Sequence, residues 1–149
     1  IDMLHTRAGN QVIYELHGHM REATCIQCFK VYDGESVMRS FLEDHEVPHC
    51  PSCGGVLKPN VILFGEQLPY EPLQQARKAA KTCDLMIVIG SSLEVAPASD
   101  MPLIAARSGA KVVIINLEPT AMDRYVDLVI QGDAAEILPG VVQSMRMFA

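Results

Sequence analysis

The chain has 149 residues, a length that suits one domain or one domain with a small insert, and its 49% apolar content is enough for a packed core. A net charge of −6 and a pI near 5.3 argue against nucleic acid as the main partner, because phosphate contacts need clustered Lys and Arg. The longest clean apolar run, "LMIVI", is too short to cross a bilayer, and no basic start with an apolar stretch marks export, so no membrane partner and a cytoplasmic location are expected.

Ile1 is not an initiator, and the opening "ID" reads as the end of a strand, so an upstream piece is expected. The run "NQVIYELHG" predicts a strand over 12–16 that ends at His17. Residues 23–58 change character. They carry two Cys-x-x-Cys pairs, and Val37, Phe41 and Leu42 between them predict a short helix. "VILFGEQLP" reads as a buried strand stopped by Gly65, and "EPLQQARKAAKTC" as a helix with Pro near its start. "DLMIVIGSSLEVAP" is the clearest strand, followed by the helix "SDMPLIAARSG" that Gly109 ends. "AKVVIINLEPT" and "DLVIQ" are further buried strands, the latter leading into a helix over 133–145.

Strands this continuously apolar are expected to be covered on both faces, which implies an α/β fold with a parallel sheet. The cysteine segment is the one obvious second module. The expected organisation is therefore a parallel-sheet domain over 1–22 and 59–149, interrupted by a small module over 23–58.

Cys25/Cys28 and Cys50/Cys53 form two knuckles separated by 21 residues. In a chain with no export signal such pairs favour a metal over disulfides, and four thiolates satisfy one Zn²⁺ at tetrahedral geometry. The alternative is a pair of disulfides or free thiols. A closed sulfur shell is structural, and it substitutes for the core that a segment of roughly 35 residues is too small to build. His49 adjoins Cys50 but is not needed as a ligand. His17 lies eight residues outside the shell and is free for other work. Cys83 reads as a small buried hydrophobe.

In an open parallel sheet, ligands bind at the carboxyl ends of the strands. Here those ends carry Gly90, Ser91 and Ser92, then Asn116, Leu117 and Glu118, then Asp133 and Ala134 after Gly132. Glycine lets a backbone approach a phosphate, a carboxylate can accept from ribose hydroxyls, and a helix beginning at Ala134 offers N–H groups. Each element alone is often a plain turn. No G-x-G-x-x-G loop is present.

Together these residues resemble the sirtuins, the family of NAD-dependent protein deacylases. "IDMLHTRAG" resembles the family's "TQN[IV]DGLHxxAG" without its first three residues, and "ELHG" the motif of the catalytic histidine. The two cysteine pairs match the structural zinc module. "LKPNVILFGEQLP", "GSSLEVAPAS" and "VIINLE" resemble "RPxVVxFGExLP", "GTSLxVxPAA" and "xxINxE".

The resemblance implies a Rossmann-like domain with a small zinc-ribbon module, and two co-reactants, NAD and an acyl-lysine peptide. It implies that nicotinamide leaves as the acyl oxygen attacks the ribose. A histidine then takes a proton from a ribose hydroxyl, giving free lysine and O-acyl-ADP-ribose. His17 matches that general base, and an imidazole can accept a proton at neutral pH. Ile1 and Asp2 match the pocket for the nicotinamide carboxamide, although Asp2 also suits a helix cap. Gly90, Ser91, Ser92, Asn116, Leu117, Glu118, Asp133 and Ala134 match NAD contacts. Ile62, Phe64, Gly65, Glu66 and Val95 match the acyl-lysine tunnel and the backbone clamp on the peptide, a strand-addition mode. His5 and His19 are expected to be structural.

The chain departs from the pattern where Met3 replaces a usual glycine and Leu63 a common aromatic. The family's upstream pyrophosphate loop is not in this sequence, so the 149 residues alone are expected to show no NAD-dependent activity. A zinc-stabilised binding module without chemistry and a mono-ADP-ribosyltransferase are the alternative functions.

Overall fold

The computed structural model describes residues 1–147, and the chain divides into two compact units between Leu73 and Gln74.

The first unit begins with a single helical turn, α1 (Leu4–Arg7). It then builds an antiparallel sheet in the order β2-β1-β3, from β1 (Gly18–Cys25), β2 (Val31–Asp33) and β3 (Leu57–Val61). Between β2 and β3 lies α2 (Gly34–Asp44), the helix expected inside the cysteine segment. Asp33 caps it, its Oδ2 accepting from the Ser36 N–H at 2.8 Å and the Ser36 hydroxyl at 2.7 Å. A Cβ on Gly34 would sit 2.1 Å from the Met20 carbonyl oxygen, so glycine is what lets α2 start against β1. The buried core is small: Ala23, Cys25, Cys50 and Leu57, with Cys28, Tyr32 and Val37 packed on it. Two of its four buried residues are cysteines, so apolar packing alone cannot carry this unit.

Two expectations are corrected here. Residues 12–15 form no strand, and residues 16 and 17 make a turn that leads into β1. The apolar run at 61–64 leaves the sheet after Val61, so Leu63 and Phe64 are exposed rather than buried. In both places the strand signal was local, whereas pairing follows β1, whose sequence GHMREATC is too polar to announce itself.

In the second unit α3 (Tyr70–Thr82), which begins before the dividing line, leads to β4 (Leu85–Ile89). There follow α4 (Met101–Arg107), β5 (Lys111–Asn116), β6 (Leu128–Gln131) and α5 (Ala134–Met147). The three strands are parallel in the order β4-β5-β6. Central β5 buries Val112, Ile114 and Ile115, and Val112 packs with Ala105 and Ala110. This is the α/β parallel sheet that the apolar runs implied. The coverage expected on both faces holds for β5 but not for β4, where Leu85, Ile87 and Ile89 are 52, 49 and 45% exposed. No helix among the described residues is long and apolar enough to cross a membrane.

Four carboxylates are held below their ordinary range. Arg21 does this for Glu15, and the Ser36 hydroxyl and N–H do it for Asp33. The Leu63 N–H and Lys58 act on Glu66, and Lys111 and the Val112 N–H on Asp127. A carboxylate lowered on folding contributes stability above its unfolded pKa, near 4, and loses it as pH falls further. In the second unit, whose core holds no metal ligand, the urea midpoint is therefore expected to be flat from pH 7 to about 5 and to drop below about 4.5. Asp127→Asn should flatten the acid limb of the unfolding curve read from the β4–β6 amides.

Candidate active site and metal centre

Two matching knuckles bring the four paired cysteines together. In each, an N–H four residues on returns to the first cysteine's carbonyl: Phe29 to Cys25 at 3.0 Å and Gly54 to Cys50 at 2.8 Å. Phe29 and Gly54 both take positive φ, 60° and 76°, to make the turn. The four Sγ atoms lie within 4.8 Å of one another, with Cys25–Cys53 at 3.5 Å and Cys28–Cys50 at 3.6 Å. Zinc bonds of roughly 2.3 Å at tetrahedral angles place sulfurs about 3.8 Å apart, whereas a disulfide needs about 2.05 Å. The cluster fits one zinc ion and does not fit two disulfides; all five cysteines are free. His49 stands outside the cluster, its Nδ1–H donating to the Gly54 carbonyl at 2.9 Å.

Crowding four thiols spreads their ionisation apart. Burial opposes the Cys50 thiolate, but the Tyr32 hydroxyl and the Ser52 and Cys53 N–H groups outweigh it and bring Cys50 down to about 6. The Gly55 N–H favours the Cys53 thiolate, yet Cys28, burial, Cys25 and Cys50 push it up to about 12.

His17 sits in the tight turn between residues 15 and 18, closed by the Gly18 N–H on the Glu15 carbonyl at 3.0 Å. Its own carbonyl accepts from the Ile62 N–H at 3.0 Å, so its backbone is pinned on both sides. No hydrogen bond engages its imidazole among the described residues. His17 lines a cavity of about 320 Å³ together with Ile1, Asp2, Met3, His5, Tyr14 and Glu15. Gly18 makes the turn possible. Its φ is +71°, and a Cβ there would meet the Asn60 carbonyl oxygen at 2.0 Å. Gly18→Ala is expected to destabilise the first unit by about 3 kcal/mol, checked by urea denaturation.

Asp2 does the capping that its position allowed: Oδ1 accepts from the Leu4 N–H at 2.9 Å. Met3 holds φ 61°, in the left-handed region, a strain of about 1 kcal/mol that glycine would not carry. Glu15, which no sequence motif singles out, lines the His17 cavity and is locked by both Nη groups of Arg21. Opposite charges six residues apart gave no signal, because only the turn brings them together. Of the two histidines expected to be structural, His5 lines the same cavity, and the Nδ1 of His19 is buried with no partner among the described residues.

Ile62 follows β3 and lines a second cavity of about 310 Å³ with Ile13, His19, Arg21 and Asn60. Phe64 is 94% exposed. Gly65, at φ 88°, and Glu66 complete the turn, with the Glu66 carboxylate accepting from the Leu63 N–H at 2.8 Å and Lys58 Nζ at 3.0 Å.

In the second unit the carboxyl ends of β4, β5 and β6 lie side by side. The Gly90 N–H bonds the Ile115 carbonyl and the Gly132 N–H the Asn116 carbonyl. Ser91 Oγ accepts from the Leu93 N–H at 3.3 Å; Ser92 is exposed. Buried Asn116 donates through Nδ2 to the Glu118 carbonyl at 2.8 Å, and Gln131 reaches the Leu117 carbonyl at 3.2 Å. Asp133 caps α5, its Oδ1 accepting from the Ala135 N–H at 2.7 Å, and Ala134 opens the helix. Val95 lies on the loop after β4, half exposed.

The Sir2 family model matches residues 1–97. NAD-dependent protein deacylase 2 of Archaeoglobus fulgidus is 45% identical over 147 residues, covering 98% of this chain and 58% of that protein. The NAD-dependent protein deacetylase of Thermotoga maritima is 43% identical over 143 residues, covering 96% of this chain and 58% of that protein. Sir2Af2 bound to a myristoylated histone peptide superposes with a TM-score of 0.93 at 44% identity, covering 99% of this chain and 63% of that one. A Sir2 complex with a p53 peptide and NAD⁺ gives 0.92 at 41% identity, covering 99% of this chain and 61% of that one. The chain thus spans about 58% of the length of the curated relatives it matches.

Proposed function

The chain belongs to the Sir2 family, and from that premise we propose that it is the larger part of an NAD-dependent protein-lysine deacylase. The reaction joins acyl-lysine, NAD and water to give free lysine, nicotinamide and O-acyl-ADP-ribose. The carrying observation is a histidine on a pinned backbone, its imidazole without a hydrogen-bond partner among the described residues, lining a cavity that Asp2 also lines.

His17 takes the proton from the ribose hydroxyl. Ile1 and the free oxygen of Asp2 receive the nicotinamide carboxamide. The strand ends at Gly90–Ser92, Asn116–Glu118 and Asp133–Ala134 hold NAD through backbone groups and hydroxyls. This suits their geometry, since the Asp133 carboxylate is already engaged in capping. Ile62, Phe64, Gly65, Glu66 and Val95 receive the acyl-lysine peptide. The exposed Phe64 supports this, as does the fact that solved relatives are described with acetylated, propionylated and myristoylated peptides.

Cys25, Cys28, Cys50 and Cys53 hold one structural zinc within a module over 23–58, while 1–22 and 59–149 contribute to the NAD-binding domain. Free cysteines suit a cytoplasmic protein. Mass spectrometry of an acetyl-lysine peptide incubated with the full-length protein and NAD is the test. Loss of the acetyl mass with formation of O-acetyl-ADP-ribose is expected. Deacetylation that proceeds equally without NAD would sink the reading.

A further inference from the structure

Beyond the Tyr32 hydroxyl at Cys50, the side chains of Ser52 and Lys30 continue a chain outward from the four sulfurs. We propose that Lys30, Ser52 and Tyr32 form an outer layer to the metal centre that fixes Cys50 and offsets the charge gathered there, so setting how long the metal is held. The proposal rests on the zinc reading of the cysteine cluster.

Tyr32 lies on β2, half-buried, with its hydroxyl 3.0 Å from Cys50 Sγ and 3.2 Å from Ser52 Oγ. Lys30 Nζ is 2.9 Å from the same Ser52 Oγ. An ammonium can only donate, and each hydroxyl has one proton to give. A metal-bound Cys50 thiolate can only accept, so with zinc in place the chain runs one way: Lys30 donates to Ser52, Ser52 to Tyr32, and Tyr32 to the Cys50 sulfur. Hydrogen bonds aligned in this way polarise one another.

The electrostatics call for such donors. Four thiolates around a dication leave a net charge of about −2, and each bond donated to a sulfur draws part of it away. Cys25 receives the Gln27 and Cys28 N–H groups, at 3.4 and 3.5 Å, which any sequence would supply. Among the described residues only Cys50 has a hydroxyl donor, and that donor depends on residue identity. The chain also straps the knuckles together. Ser52 belongs to the second, while the Lys30 carbonyl accepts the Cys25 N–H of the first at 2.9 Å. Groups placed around metal ligands in this way are worth roughly 10- to 100-fold in affinity.

The test uses the zinc-loaded full-length protein, with release to excess EDTA followed by a chromogenic indicator. Tyr32→Phe keeps the ring and removes the donor, and it is expected to speed zinc loss by about 10- to 100-fold. Ser52→Ala and Lys30→Gln should act in the same direction but less, and should add little to Tyr32→Phe, because all three cut one chain. In cobalt(II)-substituted protein the sulfur-to-metal charge-transfer band should shift in Tyr32→Phe. Val37→Ala, which loosens the same core without touching the chain, should leave both readouts near wild type.

Release from Tyr32→Phe within twofold of wild type, or equal acceleration by Val37→Ala, overturns the proposal. Should Tyr32→Phe fail to fold, exposed Lys30→Gln decides, and no acceleration there is again fatal. Wild-type protein with no bound zinc would instead remove the metal reading itself, and this proposal with it.

Discussion

His17→Ala in the full-length protein is expected to lower NAD-dependent deacylation by about 10²- to 10⁴-fold at saturating NAD and peptide. A general base acts on a proton in flight, so the loss belongs in kcat more than in KM. The backbone argues that the fold survives the change. The turn around His17 is held by the Gly18 N–H on the Glu15 carbonyl and the Ile62 N–H on the His17 carbonyl, and neither bond uses the imidazole. Zinc content and urea midpoint should therefore match wild type. Deacylation within threefold of wild type would take His17 out of the chemistry, whatever its place beside Asp2.

Removing zinc is the second large effect. The buried apolar cluster of the first unit is Ala23, Cys25, Cys50 and Leu57, so cysteines are half of it. Zinc bound by four thiolates contributes an apparent 10 kcal/mol or more to folding, in the range known for structural sites. Cys25→Ser, or prolonged chelation, is expected to erase the dispersed amide signals of β1, β2 and α2. The β4–β6 amides, whose core of Ala105, Ala110 and Val112 contains no ligand, should stay protected. Metal analysis should give one zinc per chain. Binding should release protons, because thiols such as Cys53, pushed up to about 12, must give theirs up. Signals of the first unit that persist after chelation, or two disulfides by mass, would end the metal assignment.

Much of this was readable in the residues. The cysteine spacing pointed to one cluster because Cys-x-x-Cys is local: the knuckle closes on itself by short backbone bonds at Cys25 and Cys50. The strands β4, β5 and β6 announced themselves as apolar runs ended by Gly90, Asn116 and Gly132. What could not be read depended on distant partners. β1 opens on a glycine and carries Arg21 and Glu22, and it is a strand only because β2 and β3 flank it. Its bulge between Gly18 and Ala23, and the pairing of Ala23 with Pro59, follow no local pattern. The Glu15–Arg21 lock and the Lys30–Ser52–Tyr32 chain are likewise products of folding. Met3 shows the converse: the resemblance marked it as a substitution for glycine, and its φ of 61° supplies the reason glycine suits that position.

Strand β4 closes one end of its sheet among the described residues, with alternate side chains Leu85, Ile87 and Ile89 half in water. Such a margin offers both an adhesive stripe and a row of free amide and carbonyl groups to any passing strand. Prepared by themselves, these 149 residues should crowd into clusters as concentration rises. Handling them would call for a solubilising fusion or a charged substitution at Ile87, whose side chain faces outward between the other two.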